Sequence, residues 1–214
     1  MLYIVATPIG NLKDITLRAI EVLKSVDMIA CEDTRHTKIL LTEHNITTPT
    51  TSFFQHNQIT KSQYLLRLLK EGKSVALVSD AGMPGILDPG YQIINLAIKN
   101  NIGITVIPGA TAFINALVLS GKPAHSFIFA GFLPNKSGSR RNRLKELAKF
   151  GQTIVFYESC HRILATLEDI QSIFKEKEIV VARELTKKFE EIKRGCAKEI
   201  LEARKLLLQE IKPE

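Results

Sequence analysis

Residues 74–90 of the chain read SVALVSDAGMPGILDPG and give the strongest indication of its fold. The mostly apolar run, residues 75–79, passes directly into Asp80-Ala81-Gly82 and then into a loop rich in proline and glycine. A short apolar run bounded by turn residues is typical of a strand buried on both faces of a parallel sheet. Glycine lets a ligand approach the backbone closely, and proline stiffens the loop before anything binds. The stretch therefore predicts a buried strand that ends at a ligand-binding loop.

Length and composition bound the class of protein. The chain has 214 residues, of which 45% are hydrophobic, which suits one large or two small α/β domains. Its net charge of +7 favours acidic partners, with nucleic acid first. The three cysteines, Cys31, Cys160 and Cys196, lie far apart, so we expect neither a disulfide framework nor a metal site. The N-terminus lacks a basic segment and a long apolar run, which predicts a cytoplasmic protein without a signal peptide.

Residues 100–121 form an uncharged stretch that approaches the length of a membrane span. Pro108-Gly109 interrupts it in the middle, the part before the break alternates β-branched residues, and the part after it has a helical pattern. We therefore predict a buried strand, a tight loop and a buried helix, with no association with a membrane.

Strands and helices alternate along the chain, which predicts an α/β fold with a parallel sheet covered on both faces. The predicted strands are residues 2–6, 28–31, 75–78, 104–107, 126–132, 153–157 and 179–182. The predicted helices are residues 14–26, with Asp14 as the N-cap, and residues 37–43, 62–70, 91–99, 112–119, 140–149, 162–174 and 198–209. The sequence pattern changes after Gly121, so we expect two α/β domains, residues 1–121 and 122–214. Leu185, Phe189 and Ile192 have the spacing of an apolar helical stripe.

Four predicted strands in the first half end in loops of unusual composition. They lead into residues 7–11 (TPIGN), 32–36 (EDTRH), 79–82 (SDAG) and 108–112 (PGATA). Ligands of open α/β sheets sit beyond the carboxyl ends of the strands, so these loops predict a binding site. Ordinary turn chemistry explains any one of them alone but not the four together. Neither the dinucleotide-binding glycine pattern nor a P-loop is present in the sequence.

A basic segment, residues 136–149, carries six cations against the single acid Glu146. We predict that Lys136, Arg140, Arg141 and Arg143 contact the phosphates of RNA. The alternative is a solvated helix face. A second cluster, Lys187, Lys188, Lys193 and Arg194, would extend the same surface.

Several longer motifs resemble one known family. In chain order they are LYIVATPIGNLKDITLRAIEVLK, ACEDTRHTKILL, VALVSDAGMPGILDPGY, VIPGATA, GFLP, FYESCHR and VARELTKKFEE. Together they resemble the ribosomal-RNA branch of the tetrapyrrole-methylase-like (class III) methyltransferases, over residues 2–195. The resemblance implies S-adenosylmethionine as cofactor and 2′-O-methylation of a cytidine ribose in 16S rRNA of the small ribosomal subunit. It also implies a homodimer and two α/β domains with the cofactor in the inter-domain cleft.

The family's cofactor-binding positions carry over onto a defined set of residues. They are Pro8, Asp80, Ala81, Gly82, Gly85, Pro108, Gly109, Thr111, Ala112, Tyr157 and Ala182. Gly85 stands where the family usually has a leucine that helps to wall the cofactor. The family continues into a final strand where this chain stops at residues 212–214, so we expect the second domain to lack its last strand and to expose a sheet edge.

The acceptor hydroxyl is a poor nucleophile and needs a base or a nearby cation. The candidates are Glu32, Asp33, Glu158, Glu184 and Lys187, and the sequence does not choose among them. Helix capping for Glu32 and Asp33, and a solvated helix face for Lys187, remain open. Two other functions also remain open: methylation of a tetrapyrrole or another small molecule, and RNA binding without catalysis.

Overall fold

The computed structural model describes residues 1–210, with side chains described through residue 204. The chain forms two compact units, Met1–Ala112 and Phe113–Glu214. The division falls ahead of the domain boundary expected after Gly121, because Phe113 stacks on Phe129 of the second unit, with 4.1 Å between the ring centroids. The expectation about residues 212–214 concerns residues outside the described range.

The first unit is built on a parallel sheet. Its strands are β1 (Leu2–Val5), β2 (Met28–Cys31), β3 (Thr50–Ser52), β4 (Val75–Val78) and β5 (Ile104–Ile107). They lie in the order β3-β2-β4-β1-β5, with Leu2 of β1 beside Val75 on one side and Ile104 on the other. Strand β3 was not predicted; it is a short polar strand at the edge of the sheet.

Helices cover both faces of this sheet. They are α1 (Leu17–Ser25), α2 (Thr34–Glu43), α3 (Gln58–Lys70) and α4 (Tyr91–Lys99). Val5 packs with α1 and α2, whereas its neighbour Ile4 packs with α3 and α4, as the two-residue period of a strand requires. The expected helix over residues 14–26 was too long: residues Leu12–Asp14 form a 3-10 turn, and the Thr16 hydroxyl, not Asp14, caps α1 by accepting the Ala19 N–H.

The connections of β1 and β4 leave the sheet in opposite directions. The adjacent strands β1 and β4 are followed by α1 on one face and by α4 on the other. Such a divergence opens a crevice at the carboxyl ends of the two strands, which is the usual ligand position of open α/β sheets.

The second unit combines two pairs of strands with helices. Its elements are α5 (Ala112–Ser120), β6 (Phe127–Phe132), α6 (Ser137–Ala148), β7 (Thr153–Tyr157), α7 (Ile163–Phe174), β8 (Glu178–Arg183), β9 (Glu191–Cys196) and α8 (Ala197–Glu210). Strands β6 and β7 are parallel, and β8 and β9 are antiparallel. Leu144 of α6, Leu167 of α7 and Leu201 of α8 share one buried core.

Two predictions from periodicity have different outcomes. The helical stripe expected at Leu185, Phe189 and Ile192 is wrong, because Ile192 lies in β9 opposite Ala182 and Phe189 is exposed in the preceding turn. The strand, loop and helix predicted within residues 100–121 are present as β5 and α5, but their expected burial is wrong in part, because Val106 of β5 and Val118 of α5 are exposed. No helix within the described residues is long and apolar enough to cross a membrane.

Candidate functional site

Four strand-end loops meet at one edge of the parallel sheet. They are residues 7–11 after β1, 32–33 after β2, 79–90 after β4 and 108–111 after β5. Because β2, β4, β1 and β5 are neighbours in the sheet and all point the same way, their carboxyl ends lie side by side. The predicted convergence of these loops is confirmed within the first unit.

Hydrogen bonds tie the loop after β1 to the loop after β4. The Thr7 N–H donates to the Gly82 carbonyl at 2.9 Å, and the Gly82 N–H donates back to the Thr7 carbonyl at 3.0 Å. The buried Thr7 hydroxyl also donates to the Ser79 carbonyl at 3.0 Å. These bonds fix the buried Pro8 beside Gly82, so the two loops are preorganised as one surface.

The other two loops join the same surface. The Asp33 N–H donates to Asp80 Oδ1 at 3.1 Å, which connects the loop after β2 to the loop after β4. A Cβ on Gly82 would lie 3.7 Å from the Ala110 carbonyl oxygen and 3.6 Å from Ile9, so the loop after β5 borders Gly82 as well. We call the surface formed by these four loops the cradle.

Two glycines of the cradle occupy positions where a residue with a side chain would be strained or would clash. Gly82 has a φ of +86°, in the left-handed region that glycine favours. Gly109 lies so close to β1 that a Cβ would come 2.9 Å from the Ala6 Cβ. Gly109 therefore lets the loop after β5 pack directly against Ala6, and Gly82 supplies the left-handed turn after β4, so the backbones of these loops approach one another closely.

Gly85 differs from the other glycines of this region. It also has a positive φ, of +83°, but its neighbours are Gly90 and Ile94, so it closes its own loop. None of these neighbours belongs to another strand-end loop. Its assignment to the cofactor therefore stays a prediction from the resemblance.

The cradle carries an acidic group of side chains. Burial raises the pKa of Glu32, and the charges of Asp80 and Asp88 raise it further. Burial also raises the pKa of Asp88, with a smaller contribution from Asp80. Mutual repulsion of this kind is relieved by a cation, so the site suits a ligand with a positive charge.

Asp33 has a structural task beside Glu32. Its carboxylate caps α2 by accepting the Arg35 N–H at 2.8 Å, and it pairs with the Arg35 guanidinium at 2.7 Å. The hydrogen bonds from Arg35 lower the pKa of Asp33 well below its usual range. A carboxylate with so low a pKa is a weak base, which argues against Asp33 as the catalytic base.

The Glu158 carboxylate also has a structural role. Its buried carboxylate accepts bonds from Arg162 Nε at 2.9 Å, from the Thr166 hydroxyl at 2.6 Å and from the Ser159 N–H at 2.7 Å. Burial would raise the pKa of Glu158, but these hydrogen bonds outweigh it and lower the pKa. These contacts anchor the start of α7 and argue against Glu158 as the catalytic base, and its catalytic role stays a prediction.

Glu184 and Lys187 lie in the turn between β8 and β9. Lys187 Nζ contacts Glu184 Oε1 at 3.2 Å, and slightly less than half of each side chain is exposed. Glu184 and Thr186 have φ values of +51° and +66°, which is an unusual conformation for residues with a Cβ. The turn is thus held in a strained shape, and the roles of Glu184 and Lys187 stay predictions.

Tyr157 and Ala182 lie on strands of the second unit. Tyr157 ends β7 and contacts the rings of Phe129 and Phe132, with centroid distances of 5.3 and 5.7 Å. Ala182 is paired with Ile192 across the β8–β9 ladder. Their predicted contact with a cofactor stays a prediction.

The basic segment does not behave as one surface. Arg140 is only 3% exposed and pairs with Asp169 of α7 at 2.6 Å. It also donates to the Asn135 carbonyl at 3.1 Å. The prediction that Arg140 contacts RNA is therefore wrong, because its guanidinium is buried in an ion pair with Asp169. Lys136, Arg141 and Arg143 are exposed.

Asp88, Thr7 and Asp169 contribute to these arrangements and were not predicted. Asp88 follows the same strand as Asp80, so its position in a loop of the sheet edge was a usable signal. Nothing local marks Thr7 or Asp169, because their partners are distant in sequence. Within the described residues, no group of three or more His, Cys, Asp or Glu side chains could hold a metal ion.

Known families and solved structures with the same fold are methyltransferases. A family model described as Tetrapyrrole (Corrin/Porphyrin) Methylases matches residues 1–201. Diphthine synthase matches with a TM-score of 0.71 at 15% identity, covering 94% of this chain and 83% of that one. Uroporphyrin-III C-methyltransferase from Thermus thermophilus, crystallised with S-adenyl homocysteine, matches with a TM-score of 0.64 at 17% identity, covering 95% and 91%. These structures share the fold of a two-domain α/β methyltransferase.

Relatives at much higher identity narrow the class. Ribosomal RNA small subunit methyltransferase I of Halalkalibacterium halodurans is 50% identical over 198 residues, 92% of this chain and 68% of the relative. The protein of the same name from Vibrio cholerae is 52% identical over 193 residues, 90% and 67%. That of Thermotoga maritima is 47% identical over 200 residues, 94% and 90%. The chain belongs to the tetrapyrrole methylase family, in the branch of Ribosomal RNA small subunit methyltransferase I. The predicted family and methyltransferase class are confirmed.

Proposed function

We propose that the chain transfers the methyl group of S-adenosylmethionine to the 2′-hydroxyl of a cytidine in 16S rRNA of the small ribosomal subunit. The observation that carries the proposal is the identity of about half, over nine-tenths of the chain, with relatives named as small-subunit rRNA methyltransferases. This observation favours an rRNA substrate over the tetrapyrrole alternative. Methylation of a cytidine, and of its 2′-oxygen, is the finer part of the proposal.

The cradle fits the cofactor on two grounds. Gly82 and Gly109 let the strand-end loops approach one another without intervening side chains, so main-chain groups of these loops are available to a nucleoside. The carboxylates of Glu32, Asp80 and Asp88 raise the negative potential there, which suits a sulfonium. Within the first unit, Pro8, Asp80, Ala81, Gly82, Pro108, Gly109, Thr111 and Ala112 would hold it.

The cofactor supplies an electrophilic methyl group on a positively charged sulfur. The chain has to hold the acceptor oxygen in line with that group, and good alignment of two reactants contributes on the order of 7–11 kcal/mol. The tied loops of the cradle serve this purpose because they bind without rearrangement. As the oxygen attacks, its proton has to pass to a base.

We propose Glu32 as that base. Among the candidates it combines partial burial in the cradle with a raised pKa, caused first by burial and then by Asp80 and Asp88. A base whose pKa is closer to neutrality accepts a proton more effectively than an ordinary carboxylate. Glu184 and Lys187 remain the alternatives, since both are exposed in the β8–β9 turn.

We also propose that the chain is a cytoplasmic homodimer and that Lys136 and Arg141 contact RNA; Arg143 is left out of this proposal because its guanidinium pairs with Glu146 at 3.2 Å. Helix α5 supports the dimer, since it exposes the apolar side chains of Ile114, Val118 and Leu119. Val118 is 70% exposed, and neighbouring apolar side chains on one helix commonly mark an interface.

The experiment supplies the chain with methyl-labelled S-adenosylmethionine and, in separate reactions, isolated small subunits, naked rRNA or a porphyrinogen. We expect label in the subunits or rRNA, at a cytidine whose 3′ linkage resists alkaline hydrolysis because its 2′-oxygen is methylated. Label in the porphyrinogen would favour the small-molecule alternative. Binding of RNA without transfer of label would favour a non-catalytic protein.

A further inference from the structure

A groove lies between α6 and α7 of the second unit. It has a volume of about 470 Å³ and is lined by Gly138, Arg141, Asn142, Lys145, Ser172 and Ile173. We infer that this groove seats the phosphate backbone of the substrate RNA, with Arg141 and Lys145 as the phosphate-binding cations. The inference rests on the proposed function and specifies which part of the basic segment recognises RNA.

The first step is the division of α6 into three faces. Arg140, Leu144 and Leu147 are buried and fix the helix against the core. Arg143 lies on a second face, where it pairs with Glu146 at 3.2 Å. The third face carries Gly138, Arg141, Asn142 and Lys145, whose spacing of three and four residues aligns them along the helix. This third face is the one that borders the groove.

The second step is the charge balance beneath the groove. The Asp169 carboxylate of α7 accepts two hydrogen bonds: one from the Ser137 hydroxyl at 2.8 Å on Oδ1, and one from Arg140 Nε at 2.7 Å on Oδ2. Arg141 Nε lies farther from Asp169, at 3.8 Å, and its side chain is 50% exposed. Because Arg140 already balances Asp169, Arg141 can engage a phosphate without leaving a buried carboxylate unpaired.

The third step is the chemistry of the lining. Arg141, Lys145 and Asn142 offer N–H donors, and arginine binds phosphate with two parallel bonds. Arg141 and Lys145 stand one helical turn apart, a spacing comparable with that of neighbouring phosphates in one RNA strand. Gly138 has no heavy atom within 4 Å of the place a Cβ would occupy, so this end of the groove is open. Glu168, one turn before Ser172 on α7, is an acidic neighbour that the two cations outnumber.

The test compares charge-neutralising variants for binding to isolated small subunits and to a short single-stranded RNA that contains cytidine. Each phosphate contact contributes about 0.7–0.9 to the slope of log affinity against log salt, so Arg141→Gln and Lys145→Gln should each weaken binding about 5- to 8-fold at 0.1 M salt. Each should also flatten the salt dependence by that amount. Arg143→Gln is the matched control from the same helix, and we expect less than a twofold change.

A second pair of variants separates the groove from overall charge. Ser172→Glu places a carboxylate in the groove, and Ser139→Glu adds the same charge to α6 away from the groove lining. We expect Ser172→Glu to weaken RNA binding at least fivefold and Ser139→Glu to change it less than twofold. S-adenosylhomocysteine binding, measured by calorimetry, should be unchanged in all of these variants.

The outcomes distinguish this inference from the proposed function. If the wild-type chain methylates small subunits but the groove variants bind RNA like Arg143→Gln and Ser139→Glu, the groove assignment is overturned and the proposed function stands. If the wild-type chain neither binds nor methylates any RNA, the proposed function itself is wrong, and the groove assignment is wrong with it.

Discussion

At the scale of single residues, the carboxyl of Glu32 gives the proposed chemistry a pH signature. Burial and the charges of Asp80 and Asp88 raise its pKa, and a base works only when ionised, so the rate of methyl transfer should rise with pH through that raised pKa. Asp88→Asn removes one of the charges and should move this rise to lower pH. Glu32→Gln should abolish the rise and lower kcat about 10²- to 10⁴-fold, with the affinity for S-adenosylhomocysteine, whose sulfur carries no charge, nearly unchanged.

The pH profile of the methyl-transfer rate could also contradict the role of Glu32. A rate profile for Asp88→Asn that matches the wild-type profile, together with a full kcat for Glu32→Gln, would remove Glu32 from the mechanism. Glu184→Gln and Lys187→Met are then the next variants to measure, because both side chains remain exposed candidates.

The buried pair of Arg140 and Asp169 makes a prediction about stability. Removing one partner leaves the other charge buried and unpaired, so Arg140→Met or Asp169→Leu should each lower the free energy of unfolding by about 3–5 kcal/mol. Arg143→Met, which breaks the exposed pair with Glu146, should cost at most about 1 kcal/mol. Urea denaturation followed by circular dichroism measures both. Equal small losses for Arg140→Met and Arg143→Met would contradict the structural role of Arg140.

Adjacent arginines show where sequence-based prediction ends. Arg140 and Arg141 are chemically alike, and composition marked both as RNA contacts. Their difference depends on Asp169, which is 29 residues away in the chain and meets Arg140 only after α6 packs on α7. Likewise, the bond from the Thr7 hydroxyl to the Ser79 carbonyl joins residues 72 positions apart. Local pattern carries no information on such pairs.

At the scale of elements, four of the five strands of the parallel sheet were predictable because each is a short apolar run, whereas the polar edge strand β3 was not. Val75–Val78 is buried at every position, and burial on both faces of the sheet is what a continuous apolar run indicates. Strand β9 was missed because Leu185, Phe189 and Ile192 satisfy a helical period by chance. Its pairing with β8, together with the positive φ at Glu184 and Thr186, overrides that local preference.

Replacing two glycines by alanine should change the stability of the chain in opposite directions. Gly109→Ala would place a Cβ 2.9 Å from the Ala6 Cβ, so the loop or β1 must shift, at a cost of about 1–3 kcal/mol in stability. Gly138→Ala meets open space within α6 and should stabilise the chain by about 0.5–1 kcal/mol, because alanine is the better helix former. Thermal unfolding of both variants measures this. A stabilising Gly109→Ala would contradict the close approach of the loop to β1.

At the scale of the whole molecule, the exposed apolar face of α5 predicts the state of association. Val118→Lys places a charge at the centre of the face formed with Ile114 and Leu119, so it should convert the proposed homodimer to a monomer. Light scattering after size-exclusion chromatography measures the mass. Ile98→Lys, which alters another exposed apolar residue on α4, serves as the control and should leave the dimer intact. A wild-type monomer, or a dimeric Val118→Lys, would contradict the use of this face.

Calorimetry with S-adenosylhomocysteine tests the cradle most directly. Gly82 and Gly72 have nearly the same backbone strain, with φ values of +86° and +83°, but Gly72 has no heavy atom within 4 Å of its would-be Cβ and lies outside the cradle. The wild-type chain and Gly72→Val should each bind one ligand per chain with similar affinity, and Gly82→Val should bind at least about tenfold more weakly, since its side chain fills the meeting point of three loops. Absence of binding by the wild-type chain, or equal affinity in the two variants, would contradict the cradle.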